Sequence, residues 1–200
     1  MLLAVPARAG VTIAALGDSL TQGYGLPPDK GFVPTLERWL ETQGEEVEII
    51  NAGVSGDTTA GGRARVGWTL TPEVDAMIVA LGGNDMLRAI DPSLTRANLD
   101  AILAAAGKEG VEVLLIGLEA PGNYGPEYKR AFDAIFPDLA REYGTLLQEN
   151  FFEGIAADGP GAAARFMQPD GIHPNAEGVR RIVRAIGPKV RALIDRAEGG

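Results

Sequence analysis

The feature that most limits this chain is an alternation of two hydrophobic periods. Short apolar runs recur along it: VTIAAL (11–16), VEII (47–50), AMIVAL (76–81) and VEVLLIGL (111–118). Each is bounded by glycine or polar residues and reads as a buried strand. TLLQENFF (145–152) is a weaker fifth. Between them the spacing changes to i, i+3/i+4, at Phe32, Val33, Leu36 and Leu40 and again at Leu94, Leu99, Ile102 and Leu103. Tyr128, Phe132, Ile135, Phe136 and Leu139 repeat it, with Pro137 expected to bend or interrupt that helix. A final helix carries Val179, Ile182, Val183, Ile186 and Val190 on one stripe, with Arg180, Arg181 and Arg184 expected on a solvated face. Strands alternating with helices imply right-handed crossovers and a parallel sheet covered on both faces. In such α/β folds ligands sit beyond the carboxyl ends of the strands.

Two hundred residues, 46% of them hydrophobic and 27 of them glycine, suffice for one α/β domain with a sizeable core and many tight turns. No repeat and no linker rich in Pro or Ser divides the chain, so 11–200 is expected to be a single domain. A net charge of −9 disfavours nucleic acid as a partner, which requires clustered Lys and Arg, and equally an anionic membrane surface. There is no cysteine, which removes disulfides and thiolate chemistry, and the single His173 removes a His-rich metal site. No apolar run reaches the ~20 residues that span a bilayer. MLLAVPARAG (1–10) is similar to the tail of a signal peptide with an A-x-A cleavage site, although it lacks a basic n-region and its apolar part is short. Residues 1–10 are therefore expected to be a leader remnant or a disordered N-terminus. A periplasmic or secreted location follows as the expectation, with a cytoplasmic one left open.

The polar residues fall where such a fold builds sites. Ser19 follows the first strand, Gly53 and Ser55 the second, and Asn84 the third, while Asp170 and His173 lie in a late loop before the final helix. Each alone has a plain structural reading. Ser or Asp after a strand is commonly a helix cap, NAGVSGD an ordinary glycine-rich turn, and a lone histidine before proline a packing residue. Their convergence on one edge of one sheet favours chemistry. A serine hydroxyl becomes a useful nucleophile when an imidazole takes its proton, and a carboxylate holds that imidazole in the right tautomer. Asp170 and His173 are three residues apart, so the acid can lie beside the ring. Pro174 biases His173 away from helical geometry, leaving Asn175 to cap the last helix. Oxyanion donors are available in the backbone N–H groups of Ser19 and Gly53 and in the side-chain amide of Asn84, glycine at 53 permitting close backbone approach.

With these residues assembled, the chain resembles the GDSL, or SGNH, hydrolase family. GDSL (17–20), NAGVSGDT (51–58), GGND (82–85) and DGIHP (170–174) are similar to its four blocks, in order, from about Val11 into the last helix. The branch it is most similar to comprises lysophospholipase L1/acyl-CoA thioesterase I and bacterial arylesterases, in which NYG (123–125) and MQPDGIHP (167–174) also find counterparts. The resemblance implies a flavodoxin-like three-layer α/β/α sandwich with a mostly parallel five-stranded sheet, and hydrolysis of esters and thioesters without metal or cofactor. It further implies a nucleophile at Ser19, a base at His173, an orienting acid at Asp170, and oxyanion donors at Ser19, Gly53 and Asn84. Asn123, Tyr124, Gly125 and Ile172 are the expected substrate-binding positions. Pro-Gly-Asn-Tyr stands at 121–124 where this branch often has Pro-Ala-Asn-Tyr, which touches chain-length preference.

Two rivals remain open. A flavodoxin-like binding module would hold an anion at the glycine-rich turns, but no basic residue occurs within Gly17–Gly25. A carbohydrate O-acetylesterase would need polar or aromatic sugar-binding loops, whereas AIFPDLA and NFFEGI favour an acyl chain. None of the serines 19, 55 and 93 lies in G-x-S-x-G, and no nucleotide-binding motif occurs. Ser55 has no histidine placed beside it, and Ser93 reads as a helix cap. Asp18 and Asp85 are expected to hold loops by hydrogen bonds, and Trp39 and Trp68 to serve packing. The expected partner is a small-molecule ester or thioester, with no stable membrane insertion and the oligomeric state open.

Overall fold

A computed structural model describes residues 10–156 and 160–199; of the segment 1–10 expected to be a leader remnant or disordered N-terminus, residues 1–9 lie outside them. Five strands, β1 (Val11–Gly17), β2 (Val47–Gly53), β3 (Ala76–Ala80), β4 (Glu112–Ile116) and β5 (Leu146–Gln148), form one sheet in the order β2-β1-β3-β4-β5. All four pairings are parallel. The weak fifth run is thus a strand, shortened to three residues at the sheet edge. β1 and β3 are buried at every position because helices cover both faces, which is why they read as unbroken apolar runs.

The helices are α1 (Ser19–Gln22), α2 (Phe32–Thr42), α3 (Thr59–Thr69), α4 (Gly83–Leu87), α5 (Pro92–Lys108), α6 (Pro126–Asp133), α7 (Ile135–Tyr143), α8 (Glu153–Ala156), α9 (Pro160–Ala163) and α10 (Ala176–Gly199). α2 and α10 pack together on one face of the sheet, and α3, α5 and α7 on the other. The helical segment around Pro137 is interrupted at Ala134, leaving the proline in the first turn of α7, where its missing N–H costs nothing. α10 starts where Asn175 Oδ1 accepts the N–H groups of Glu177 and Gly178, both at 3.0 Å. Among the described residues no helix is long and apolar enough to cross a membrane.

Several expectations need correction. Asp91, not Ser93, caps α5, because its carboxylate accepts the Ser93 N–H at 2.8 Å while Pro92 occupies the first helical position. Leu94, assigned to the buried stripe, is 58% exposed in the first turn of α5, whereas Leu99, Ile102 and Leu103 on the same spacing are buried. Trp39 packs partly buried in the space left by Gly187, but Trp68 is 88% exposed and packs nothing. Arg181 does not simply face solvent, for its guanidinium lies 4.1 Å from the centroid of the Phe166 ring.

The sheet order reverses at β1/β3, and a crevice opens there at the carboxyl edge. Its floor is set by close backbone packing. A Cβ on Gly53 would lie 2.4 Å from the Gln22 nitrogen and 2.9 Å from the Asp18 carbonyl oxygen, so the end of β2 meets α1 backbone to backbone. Gly53→Ala should therefore lower the unfolding free energy by about 1–3 kcal/mol, read from urea denaturation. Gly107→Ala, with open space at its Cβ in a helix, should raise it by about 0.5–1 kcal/mol. Equal effects at the two sites would contradict the packing described.

Candidate active site

β1 ends at Gly17 and the chain enters α1 almost without a loop. This is possible because Gly17 has no side chain: a Cβ there would lie 1.9 Å from Thr21 Oγ1. Asp18 caps the helix, its Oδ1 accepting the Leu20 N–H at 3.0 Å, and Ser19 becomes the first helical residue. Ser19 Oγ is 2.9 Å from His173 Nε2, and His173 Nδ1 is 2.7 Å from Asp170 Oδ2. The other oxygen of Asp170 accepts the N–H groups of Ile172 at 2.9 Å and of His173 at 3.0 Å. The bonds from His173, backbone first and then side chain, hold the Asp170 carboxyl down at about 2. Above that pH the carboxylate can only accept. The proton between the two side chains therefore belongs to Nδ1, and Nε2 offers its lone pair to the Ser19 hydroxyl.

Asn84 enters from the other side of the crevice, on α4. Gly82, with φ 118, makes the turn out of β3 that a side chain would disfavour. The Asn84 amide donates one hydrogen to Asp18 Oδ2 at 3.2 Å, which leaves its second hydrogen for another acceptor. Asp18 is only 2% exposed. Burial pushes its carboxyl up to about 6, against the lowering by the bonds from Leu20 and Asn84. Asp85, also buried, accepts from the backbone and hydroxyl of Thr59 and from Thr95, so it ties α4 to α3 and α5. Both acids hold loops, as the sequence suggested.

Gly53 does not present its N–H to the crevice. It donates to Asn51 Oδ1 at 3.0 Å, and the close approach its lack of a Cβ allows is to α1. Of the glycines in NAGVSGDT, Gly56 is the one that lines the cavity. It sits third in a turn closed by Asp57 N–H to Val54 C=O at 3.0 Å, with φ 81, a value that favours glycine there. Arg88 Nη2 donates to its carbonyl at 2.8 Å and holds the turn to the loop after α4. Sequence alone could not separate the two glycines of one block. The discriminating fact is register, because Gly53 pairs with Gly17 and is still strand.

The cavity has a volume of about 1160 Å3 and contains Ser19, Asn84 and His173. Leu87, Phe152, Ile155, Met167 and Ile172 give it apolar walls. Ile172 is one of its lining residues. Asn123, Tyr124 and Gly125 are not among its lining residues; the Tyr124 ring lies 5.1 Å from that of Tyr128, whose hydroxyl donates to the Ile90 carbonyl. NFFEGI supplies Phe152 and Ile155 to the wall, but Ile135 and Phe136 of AIFPDLA are core residues. Ser55 Oγ lies 3.0 Å from Gln22 Oε1 and donates to it, away from the imidazole. Tyr24, whose ring centroid is 4.7 Å from that of His173, and Gln168, which lies within the MQPDGIHP segment but was assigned no role there, also border the site.

Comparison with known proteins gives a consistent result. Residues 15–181 match the family model of the GDSL-like lipase/acylhydrolase family. The chain is 36% identical to esterase TesA of Pseudomonas aeruginosa over 195 residues, covering 97% of this chain and 94% of that protein. It is 34% identical over 197 residues to thioesterase 1/protease 1/lysophospholipase L1 of Escherichia coli K12, covering 98% and 90%. Among solved structures, AlinE4, described as an SGNH-hydrolase family esterase, superposes with a TM-score of 0.76 at 40% identity, covering 94% and 98%.

Asp18 generates a pH-dependent signature. Its carboxyl titrates at about 6 when folded against an ordinary 3.8, so the protonated form favours folding. That contribution is complete below 3.8 and is lost as pH rises through about 6. Asp18→Asn, which cannot ionise, should gain stability relative to the parent by about 3 kcal/mol between pH 3.5 and pH 7, in urea titrations at both values. A difference that does not change with pH would contradict a buried, desolvated carboxyl.

Proposed function

This chain belongs to the GDSL-like lipase/acylhydrolase family and is a GDSL-type hydrolase, and on that premise we propose that it cleaves carboxylic esters of medium to long acyl chains through an acyl-enzyme on Ser19. The observation that carries the reading is the continuous hydrogen-bonded path from Ser19 Oγ through the imidazole of His173 to Asp170. Ser19 Oγ attacks the ester carbonyl while His173 Nε2 takes its proton. Asp170 stabilises the imidazolium by accepting from Nδ1–H. Collapse of the tetrahedral intermediate expels the alcohol, which leaves with the proton from Nε2. Water, deprotonated by the same nitrogen, then attacks the acyl-Ser19 ester, and the acid departs as Ser19 regains its proton.

The oxyanion is met by three donors in this reading. The Ser19 N–H, at the first position of a helix, has no intrahelical partner. Asn84 has its second amide hydrogen. The third donor is the N–H of Gly56, in place of Gly53, whose N–H is committed to Asn51. The size and apolar walls of the cavity support a long acyl group over an acetyl on a sugar, which would leave Leu87, Phe152, Ile155 and Met167 without a partner. Acyl thioesters and lysophospholipids present the same carbonyl and chain, and belong to the same proposal.

In a series of p-nitrophenyl esters from acetate to decanoate, kcat/KM should climb beyond acetate as methylenes are buried, each contributing at most about 0.8 kcal/mol. Ser19→Ala should lose roughly 10⁴–10⁶-fold in kcat. An optimum at acetate would favour the O-acetylesterase, and turnover unaffected in Ser19→Ala would favour the non-catalytic module with adventitious hydrolysis. Asn84→Ala should cost about 10²–10³ in kcat; a parental rate would remove its amide from the oxyanion.

A further inference from the structure

Ser19 and His173 come from unlike supports. Ser19 is carried by the sheet through β1 and α1, whereas His173 stands on a loop bonded largely to itself. Asp170 accepts two N–H groups within that loop, Met167 and Pro174 form an antiparallel bridge across it, and Asn175 Nδ2 donates back to the Arg165 and Met167 carbonyls. Such a loop keeps its own shape but needs ties to hold it against the sheet edge.

Gln168 provides one. Its Nε2 donates to the Tyr24 carbonyl at 2.8 Å and to the Pro174 carbonyl at 3.1 Å, and its backbone N–H donates to the His173 carbonyl at 2.7 Å. Both side-chain acceptors are carbonyl oxygens, so only the NH2 end of the amide can face them. Tyr24 follows α1, and its N–H donates to the Ser19 carbonyl at 3.1 Å. A relay of backbone and amide bonds thus runs from the Ser19 carbonyl through Tyr24 and Gln168 to the His173 carbonyl, bypassing the reacting atoms. Gly25 leaves room for it: a Cβ there would lie 2.2 Å from Gln168 Oε1. The relay also seats the Tyr24 ring on the imidazole.

We propose that Gln168 is a positioning residue that sets the approach of His173 to Ser19 by fastening the histidine loop to the chain leaving α1. This rests on the reading of Ser19 and His173 as nucleophile and base. Both chemical steps need the imidazole at the serine oxygen, so loosening the loop slows them together and leaves substrate binding nearly intact.

The test is Gln168→Met, which keeps the length and removes both donors without adding charge, with Gly25→Ala as a second variant that displaces the amide and leaves Gln168 in place. Pre-steady-state bursts with a p-nitrophenyl ester give acylation and deacylation rates, alongside KM and the melting temperature. Expected in both variants is a fall of about 10–10²-fold in acylation and deacylation alike, with KM changed less than about twofold. Parental rates in either folded variant, or a lowered melting temperature with rates unchanged, overturn the proposal. Ser19→Ala runs beside them: if it turns over normally the underlying reading fails, and if it is inactive while Gln168→Met is normal only the tie fails.

Discussion

Asp18 is the constraint on which the site depends. Its carboxylate lies almost wholly out of water between the end of β1 and the end of β3, accepting from the first turn of α1 and from Asn84. Burying a carboxyl is unfavourable unless donors meet it, and the two donors it recruits belong to the elements bearing Ser19 and Asn84. The serine and the amide are therefore fixed relative to each other by one group that neither needs in order to exist. Gly17 and Gly53 let α1 pack against the strand ends, where an added Cβ would press on Thr21 or on the Gln22 backbone, and Gly83 leaves room for the Asp18 carboxyl, 3.2 Å from where its Cβ would lie.

Around this fixed half the rest is built from loops. Arg65 donates to Asp57 and to the carbonyls of Ala52 and Gly17, stapling the ends of β1 and β2 beneath the Gly56 turn. Arg88 holds the same turn to the loop after α4. The histidine arrives on its own knotted loop, tied across by Gln168. The sheet ends carry Ser19 and Asn84, and loops carry His173 and much of the apolar wall. For the ester hydrolysis proposed above, that division would combine fixed geometry at the carbonyl with tolerance along the acyl chain.

Much of this was legible in the sequence because its physics is local. An unbroken apolar run such as AMIVAL reports a strand covered on both faces, and Asp170 and His173 are close enough for three residues of chain to bring them together. Where the reading slipped, the deciding contact was long-range. Gly53 and Gly56 look alike until strand pairing shows that one is still in the sheet. Asn123, Tyr124 and Gly125 follow β4 as substrate residues would, yet they are not among the residues lining the cavity, and Tyr124 instead meets the ring of Tyr128, which is bonded to Ile90. Trp68 and Leu94 sit at helical spacings, and only the position of the neighbouring layer shows that they point outward.

The sequence by itself determined an α/β chain with parallel strands, an edge at which polar residues gather, and the residue types able to perform serine hydrolysis without thiol or His-cluster chemistry. These follow from periodicity, composition and short spacings, which the chain carries before it folds. Only the tertiary structure decided which glycine of NAGVSGDT lines the cavity, which apolar segments wall it, and how a loop 154 residues distant brings an imidazole-bearing side chain, His173, to within 2.9 Å of Ser19. Those outcomes depend on the register of β2 on β1 and on hydrogen bonds between segments far apart in the chain, quantities that come into being when the sheet closes.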